Sequence, residues 1–250
     1  MSSSPATAMA MVLLDRAVMP DAARVVAWLG GRRRASISST SATTIELDVE
    51  GRVSMLGMVD APVPWSQLEG PCSTAWWWPQ ASEECRTSTA HLVVTATSER
   101  DLFEATLRLT DVVAAVAEAA RAVAVYWSAS AMVHEPGAFR TEAESATRES
   151  LPLRLWIDFR MEPTRGDELF FATTGLETFG LMELECVGTR ASAPHVLDRM
   201  FDVAHYLCDR GPVLEDGQTI GRSDAERISA RHRPSRWKRP GKVIFLELGR

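Results

Sequence analysis

In the first half of the chain, runs typical of β-strands alternate with a stretch in which apolar residues recur at the period of an α-helix. Residues 91–97 form a β-rich run, and Ser98 with Asp101 three positions later resembles a capping box at a helix start. Apolar residues then recur every three or four positions through 102–120, which is typical of one helix face. A further apolar run follows at 122–127. The pattern predicts a strand, an amphipathic helix and a second strand, with the helix buried on a sheet.

The residues before this unit predict further elements and one long irregular stretch. A strand is expected at 9–14, a helix at 20–29, and a β-hairpin at 44–59 around the turn Glu50-Gly51. Residues 60–89 then lack periodicity and contain four prolines and four tryptophans. Because loops of this length in compact domains are usually functional, this stretch is the first candidate for a binding surface.

The second half repeats the order of strands, one helix and a last strand. Alternation predicts strands at 151–160, 169–174 and 178–187, and the apolar stripe of 192–210 predicts a helix that Ser192 can cap. A short helix at 224–230 and a final strand complete the expected elements.

These elements predict an α+β fold of two ferredoxin-like lobes, with mainly antiparallel sheets each packed by one long amphipathic helix. The lobes are expected at 9–136 and 151–250, joined by a connector at 137–150. Their common order suggests an ancient duplication, a hypothesis that requires the same strand order in both sheets.

Composition narrows the classes of protein. With 46% hydrophobic and 24% charged residues the chain can fold around a core, and its net charge of −6 argues against general polyanion binding. No apolar run approaches the ~18 residues of a membrane span, and the N-terminus lacks the basic region of a signal peptide. The four cysteines form no C-x-x-C pair, which favours reduced thiols and a cytoplasmic location.

The tryptophans of the irregular stretch are the candidate partner-binding residues. These are Trp65, Trp76, Trp77 and Trp78. Three consecutive tryptophans cannot all point one way, so at least one is expected to reach the surface or to pack under the loop. They either fasten the loop to the sheet or present an aromatic surface to another protein.

No familiar catalytic or nucleotide-binding motif occurs, so no catalytic residue, metal or cofactor is assigned. A site built from His91, Glu84 and Cys85 is the enzymatic alternative, although a hydrogen-bonded histidine at a strand end is the favoured interpretation of His91.

Three regions of the chain suggest anion or nucleic-acid binding. The turn after Asp216 offers Gly217, Thr219, Gly221 and Arg222 as candidate anion-binding residues. The segment 227–242, with Trp237, and the triplet 32–34 could bind nucleic acid by charge and stacking. Contact of the basic segment with the acidic remainder of the molecule is the favoured alternative.

The motifs G-L-x-x-F-G at 175–180 and D-G-x-T-I-G at 216–221 resemble an uncharacterised bacterial family of unknown function. The layout of the front part, from the strand at Leu13 to Tyr126, is similar too. The resemblance implies a bacterial cytoplasmic α+β protein and carries no activity or catalytic residues.

The leading hypothesis is therefore a non-enzymatic protein-interaction module, as immunity or adaptor proteins are, that binds another protein through residues 60–89 and has no membrane partner. An enzyme with a site near His91 and Glu84, and a nucleic-acid binder that uses 227–242, are the alternatives.

Overall fold

The computed structural model describes residues 6–98, 101–221 and 227–248, and the chain divides into two compact units, Met1–Leu155 and Trp156–Arg250. Both units combine helices with a mainly antiparallel sheet, which confirms the predicted α+β class. The finer lobe boundaries at 9–136 and 151–250, with the connector at 137–150, stay a prediction.

Among the described residues, the first unit has a seven-stranded sheet and, before residue 153, five helices. Its strands are β1 (Ala6–Leu14), β2 (Ala35–Thr40), β3 (Thr44–Val49), β4 (Arg52–Val59), β5 (Ala90–Ser98), β6 (Ala124–Trp127) and β7 (Met132–His134). Its helices are α1 (Ala22–Leu29), α2 (Trp65–Thr74), α3 (Ala81–Cys85), α4 (Leu102–Ala120) and α5 (Pro136–Ser145). The strand order is β2-β3-β4-β5-β1-β6-β7, and every neighbouring pair is antiparallel.

The central strands of this unit have a ferredoxin-like order. The four strands β4, β5, β1 and β6 lie side by side. The connection through α1 joins β1 to β4 around β5, and α4 joins β5 to β6 around β1. Two interleaved split β-α-β connections define that topology.

The second unit has a different topology. A short helix α6 (Leu153–Trp156) lies at the division between the units, and α7 (Ala193–Arg210) is the long helix of the second unit. Its strands are β8 (Asp158–Pro163), β9 (Glu168–Thr174), β10 (Leu184–Thr189), β11 (Thr219–Ile220), β12 (Ile228–Pro234) and β13 (Lys242–Leu248). The order is β11-β12-β13-β10-β9-β8, with a parallel pair β10–β13 at the centre. The two sheets differ in strand order, which contradicts the duplication hypothesis.

Helix α4 is the core element of the first unit. Asp101 caps it by accepting a hydrogen bond from Glu104 N at 3.1 Å, and Ser98 Oγ in turn accepts from Asp101 N. The helix contacts β1 and β5 on the sheet and also packs against α1 and α5. Every residue from Ala105 to Ala117 is buried as a result. Two polar residues of this helix, Arg108 and Asp111, are therefore inside the unit, whereas Glu118 is exposed.

The buried Asp111 of α4 binds two arginines that follow α1. Arg32 Nε lies 2.8 Å from Asp111 Oδ1, and Arg33 Nε lies 2.5 Å from Oδ2. Arg33 also donates to Glu50 and Glu104 at 2.7 and 2.9 Å. Two members of the triplet 32–34 thus neutralise an internal acid, and nucleic-acid binding by the triplet stays a prediction.

Several local predictions were wrong. Residues 60–89 are not irregular, since α2 and α3 lie within them, with Pro71 inside α2. The predicted strand at 151–160 begins as helix α6, and residues 228–230 of the predicted helix belong to β12. Residues 222–226, the front of that helix, lie outside the described residues. Among the helices of the described ranges, none combines the length and the apolar composition that crossing a lipid bilayer requires.

Replacement of Asp111 tests the charged cluster. The substitution Asp111→Asn leaves two guanidinium groups, both mostly withdrawn from water, without their carboxylate. We expect the free energy of unfolding to fall by about 3 kcal/mol, since removal of one partner of a buried ion pair costs roughly 3–5 kcal/mol. Chemical denaturation followed by circular dichroism measures the change.

Asp15→Asn is the matched control, because Asp15 and its partner Arg16 are both exposed and lie 3.7 Å apart. Its effect should stay below about 1 kcal/mol. Equal effects of the two substitutions would contradict a central role for the Asp111 cluster.

Candidate functional site

The segment with α2 and α3 packs on one end of the first sheet. Buried residues of the segment form one apolar cluster with strand residues of β1, β6 and β7. The strand members Leu13, Tyr126 and Val133 lie on one sheet face, as the pairs Leu13–Ala124, Met11–Tyr126 and Tyr126–Val133 show. Neighbouring residues along each strand point to the opposite face. The segment is therefore held by its own hydrophobic core.

The turn between α2 and α3 presents two of the three consecutive tryptophans to solvent. Trp78 is 5% exposed and belongs to the apolar cluster, whereas Trp76 is 75% and Trp77 37% exposed. Hydrogen bonds from Trp76 N to Thr74 O and from Trp78 N to Ala75 O close the turn at 2.9 Å each. Burial of Trp78 thus fixes a turn that projects the other two rings.

The two exposed rings are fixed against each other and against the sheet edge. Trp76 and Trp77 meet edge to face, with ring centroids 5.7 Å apart and an interplanar angle of 82°. Trp77 stacks on His134 of the edge strand β7 at 6.3 Å and 27°. We call Trp76 and Trp77 the tryptophan pair.

Trp77 of the tryptophan pair packs on the side chain of His134, which carries no charge at neutral pH. Its ring is buried, contacts Phe139 at 5.6 Å, and burial lowers its pKa to about 4, although a hydrogen bond to the Leu155 backbone opposes the shift. The imidazole is therefore neutral at neutral pH, so that Trp77 lies on a flat, weakly polar surface.

Trp65 contributes to the packing of the segment. It is half-buried against the apolar cluster, and the Arg86 guanidinium lies 3.5 Å from its ring centroid in a cation–π contact. Its indole Nε1 is buried and has no hydrogen-bond partner within the described part of the chain. Of the four predicted partner-binding residues, Trp65 and Trp78 serve the packing of the segment, and Trp76 and Trp77 reach the surface.

The same sheet face continues as exposed apolar surface beyond the segment. Met9 pairs with Thr95 and Thr95 with Met55, and Val59 pairs with His91 opposite Leu13, so Met9, Met55 and Val59 share the face of Leu13. All three are more than one-third exposed. We did not predict this surface from the sequence, although β4 gives a signal, because its residues are apolar at positions that point to both faces.

Two of the three residues of the enzymatic alternative, His91 and Cys85, make contacts inside the unit. His91 Nδ1 lies 2.8 Å from the Ala61 carbonyl oxygen, and the thiol of Cys85 is hydrogen-bonded to that of Cys72. Glu84 is exposed. Across 6–98, 101–221 and 227–248, no three His, Cys, Asp or Glu side chains are grouped to hold a metal ion.

The glycine turn of the second unit leads into the antiparallel pair β11–β12. Gly217 N donates to Ala230 O at 2.8 Å, and Gln218 N donates to Glu215 O at 3.1 Å. Thr219 pairs with Ser229 in the β11–β12 ladder. Gly221 is exposed, and Arg222 lies outside the described residues. Two amide groups of the turn are thus already satisfied, and anion binding there stays a prediction.

The basic segment 227–242 is folded onto its own unit. Arg239 donates to Thr173 O and Thr174 Oγ1 at 2.6 Å each, and Trp237 Nε1 donates to Glu162 at 3.0 Å. Arg231 forms an ion pair with Glu247 at 3.3 Å. These contacts agree with the favoured intramolecular role, and nucleic-acid binding remains the alternative hypothesis.

Two buried carboxylates, which we did not predict, organise the second unit. Glu183 accepts hydrogen bonds from Thr173 Oγ1, Gly175 N and Glu177 N at 2.6–3.1 Å. Glu185 accepts from Ser235 Oγ at 2.6 Å and from the amide of Arg236. The first fixes the loop 175–180, and the second fixes the basic segment. A sequence signal existed: both glutamates occur in an otherwise apolar run, at 181–187.

The similarity to a known protein family covers residues of the second unit only. Residues 172–247 match the model of a family described as "Domain of unknown function (DUF4261)". This confirms the resemblance to an uncharacterised family, while the similarity proposed for the front part stays a prediction. No curated protein and no solved structure matches the chain.

The buried His134 makes stability depend on pH. Between pH 6.5, its ordinary pKa, and about 4, the unfolded chain binds a proton there that the folded chain does not bind. Stability should therefore fall as pH decreases through this window, by up to about 1.4 kcal/mol per pH unit. Denaturation of the wild type and of His134→Asn at several pH values measures this share.

The His134→Asn variant should show a shallower decline than the wild type, whatever its absolute stability. His195→Asn, which replaces an exposed histidine, should keep the wild-type profile. If the profiles of His134→Asn and the wild type were parallel, a neutral buried His134 would be disproved.

Glu183→Gln tests the buried acceptor in the region that matches the family. An amide in place of the carboxylate turns N–H groups toward the donors of the loop, and we expect a loss of about 1–3 kcal/mol in unfolding free energy. The amides of Gly175 and Glu177 should exchange hydrogen faster, as mass spectrometry can measure. Glu177→Gln, in the same loop but with an exposed side chain, should leave both values near wild type.

Proposed function

We propose that the chain is a non-enzymatic binding protein of the bacterial cytoplasm, and that the tryptophan pair anchors another protein. The observation that carries the proposal is the 75% exposure of Trp76 beside the partly exposed Trp77. Tryptophan is the residue type most enriched among the few side chains that dominate protein–protein affinity.

The side chain of Trp76 lies outside the apolar cluster that packs the segment in its own unit. Trp78 already supplies the apolar contact that holds the turn, and Trp65 supports the segment at its other end. A large indole in water forgoes the free energy of burial, roughly 1.5–3 kcal/mol for a large apolar side chain. A partner surface that covers the pair would recover this free energy.

The geometry also keeps the cost of binding low. Trp77 is fixed between Trp76 and His134, and a ring that is already ordered loses little conformational entropy when a partner binds. The exposed Met9, Met55 and Val59 lie on the same sheet face as the segment and supply further apolar area. The buried, unlinked thiols of all four cysteines fit a reducing compartment.

Site-specific photocrosslinking tests the proposal in the native host. A photoreactive phenylalanine analogue at position 76 should give a discrete crosslinked protein, whereas the same analogue at position 206, an exposed tyrosine of the second unit, should not. Crosslinks of the same mass from both positions, or from neither, would refute binding through the pair.

The partner identified in this way allows an affinity measurement. Trp76→Ala combined with Trp77→Ala should weaken binding roughly 30-fold or more, as loss of a hot spot of at least 2 kcal/mol requires. Tyr206→Ala is the matched control and should leave the dissociation constant unchanged. Trp78 is left intact, because its removal from the core would cost about 3–5 kcal/mol of stability and obscure the result.

A further inference from the structure

Two of the four cysteines belong to the apolar cluster of the segment that carries the tryptophan pair. Cys72 lies in α2 and Cys85 ends α3, and both are buried members of the apolar cluster that joins the two helices. Their thiols are hydrogen-bonded to each other. The positions are separated by one short helix and the tryptophan turn, so the fold brings together two thiols that the sequence does not pair.

The other two cysteines lie in the second unit, in different elements. Cys186 is in β10, where its thiol donates to the Val187 carbonyl oxygen at 3.4 Å and burial raises its pKa to about 12. Cys208 is buried in α7. A thiol with so high a pKa is almost never a thiolate at neutral pH and reacts slowly with oxidants.

We propose that Cys72 and Cys85 form a redox-active pair that hydrogen peroxide oxidises to an intramolecular disulfide. The Cys72 thiolate attacks one peroxide oxygen, the O–O bond breaks, and the departing hydroxide takes up a proton to form water. Cys72 is then a sulfenic acid, with two electrons transferred from sulfur to peroxide. The Cys85 sulfur attacks the sulfenic sulfur, the S–O bond breaks, and hydroxide leaves as water with the Cys85 proton.

The surroundings of the two thiols indicate which of them reacts with peroxide first. The hydrogen bond from Cys85 lowers the pKa of Cys72, burial opposes this shift, and the nearby positive charge of Arg86 adds to the lowering. The same hydrogen bond and burial raise the pKa of Cys85. Cys72 is also the more exposed of the two, at 6% against 1%. Cys72 is therefore the attacking residue, and Cys85 resolves the intermediate.

The bond would link α2 to α3 across the turn that carries the tryptophan pair. Both helices are short, and local opening of such segments costs less free energy than global unfolding, so a molecule as small as peroxide can enter. The covalent link then removes this opening. The site exists whether or not the pair binds a partner, so the two proposals succeed or fail separately.

The test is peroxide treatment of the reduced full-length protein, followed by a count of free thiols in denaturant. We expect the count to fall from four to two in the wild type and to return to four after reduction. Digestion after glutamate without reductant should yield the fragments 70–83 and 85–99 joined by a disulfide. Cys186→Ser, with three thiols, should fall to one and yield the same linked fragments.

Single substitutions separate the two roles. In Cys85→Ser a sulfenic acid at Cys72 should persist and react with dimedone, whereas Cys72→Ser should keep its three thiols. The proposal is overturned if the folded wild type retains four thiols, or if its disulfide joins any other two cysteines. Because the wild type alone can give either result, the test does not depend on the folding of the variants.

Discussion

The first unit depends on the neutralisation of one carboxylate inside its central helix. Asp111 lies in the part of α4 that is buried on all sides, where an unpaired charge would be strongly unfavourable. Arg32 and Arg33 supply the compensation from the end of α1. The remaining donors of Arg32 reach the carbonyl oxygens of Glu144 and Ala146, where α5 ends, at 2.5 and 3.1 Å. One acid therefore fixes the positions of three helices, and Arg33 extends the contact to Glu50 in the β3–β4 turn.

The second unit uses the same principle with main-chain donors. Glu183 and Glu185 are almost fully buried, and each accepts amide and hydroxyl hydrogen bonds. The donors to Glu183 lie in the preceding strand β9 and the loop after it, whereas those to Glu185 are about fifty positions away in sequence. A carboxylate can satisfy several donors at once, so each glutamate closes a loop that has few apolar contacts of its own. Both carboxylates lie within the part of the chain that matches the family, and they account for acidic residues in an otherwise apolar strand pattern.

Periodicity and turn residues in the sequence predicted those helices and hairpins that local interactions determine. The helices α4 and α7 have long periodic stripes with clear ends, and the β3–β4 hairpin has its turn at Glu50-Gly51, so their existence could be predicted. The helix α2 could not, because it is short, contains Pro71 and has weak periodicity. The contacts of Asp111 with Arg32 and Arg33 span almost eighty positions, and no pattern within a window reveals such a pair. The parallel pairing of β10 with β13, which separates the two topologies, is equally non-local.

The tryptophans show where sequence and structure contribute different information. Residue type alone nominated Trp65, Trp76, Trp77 and Trp78 together, either to fasten the segment to the sheet or to form an aromatic surface. The fold divides them, because a turn closed by two backbone hydrogen bonds can bury only one of three consecutive rings against the sheet. Burial of Trp78 then forces its neighbours outward, and His134 on the sheet edge fixes the nearer one. Trp76 is exposed although Trp78 and Trp65 already pack the segment, and this is the physical argument for the partner proposed above.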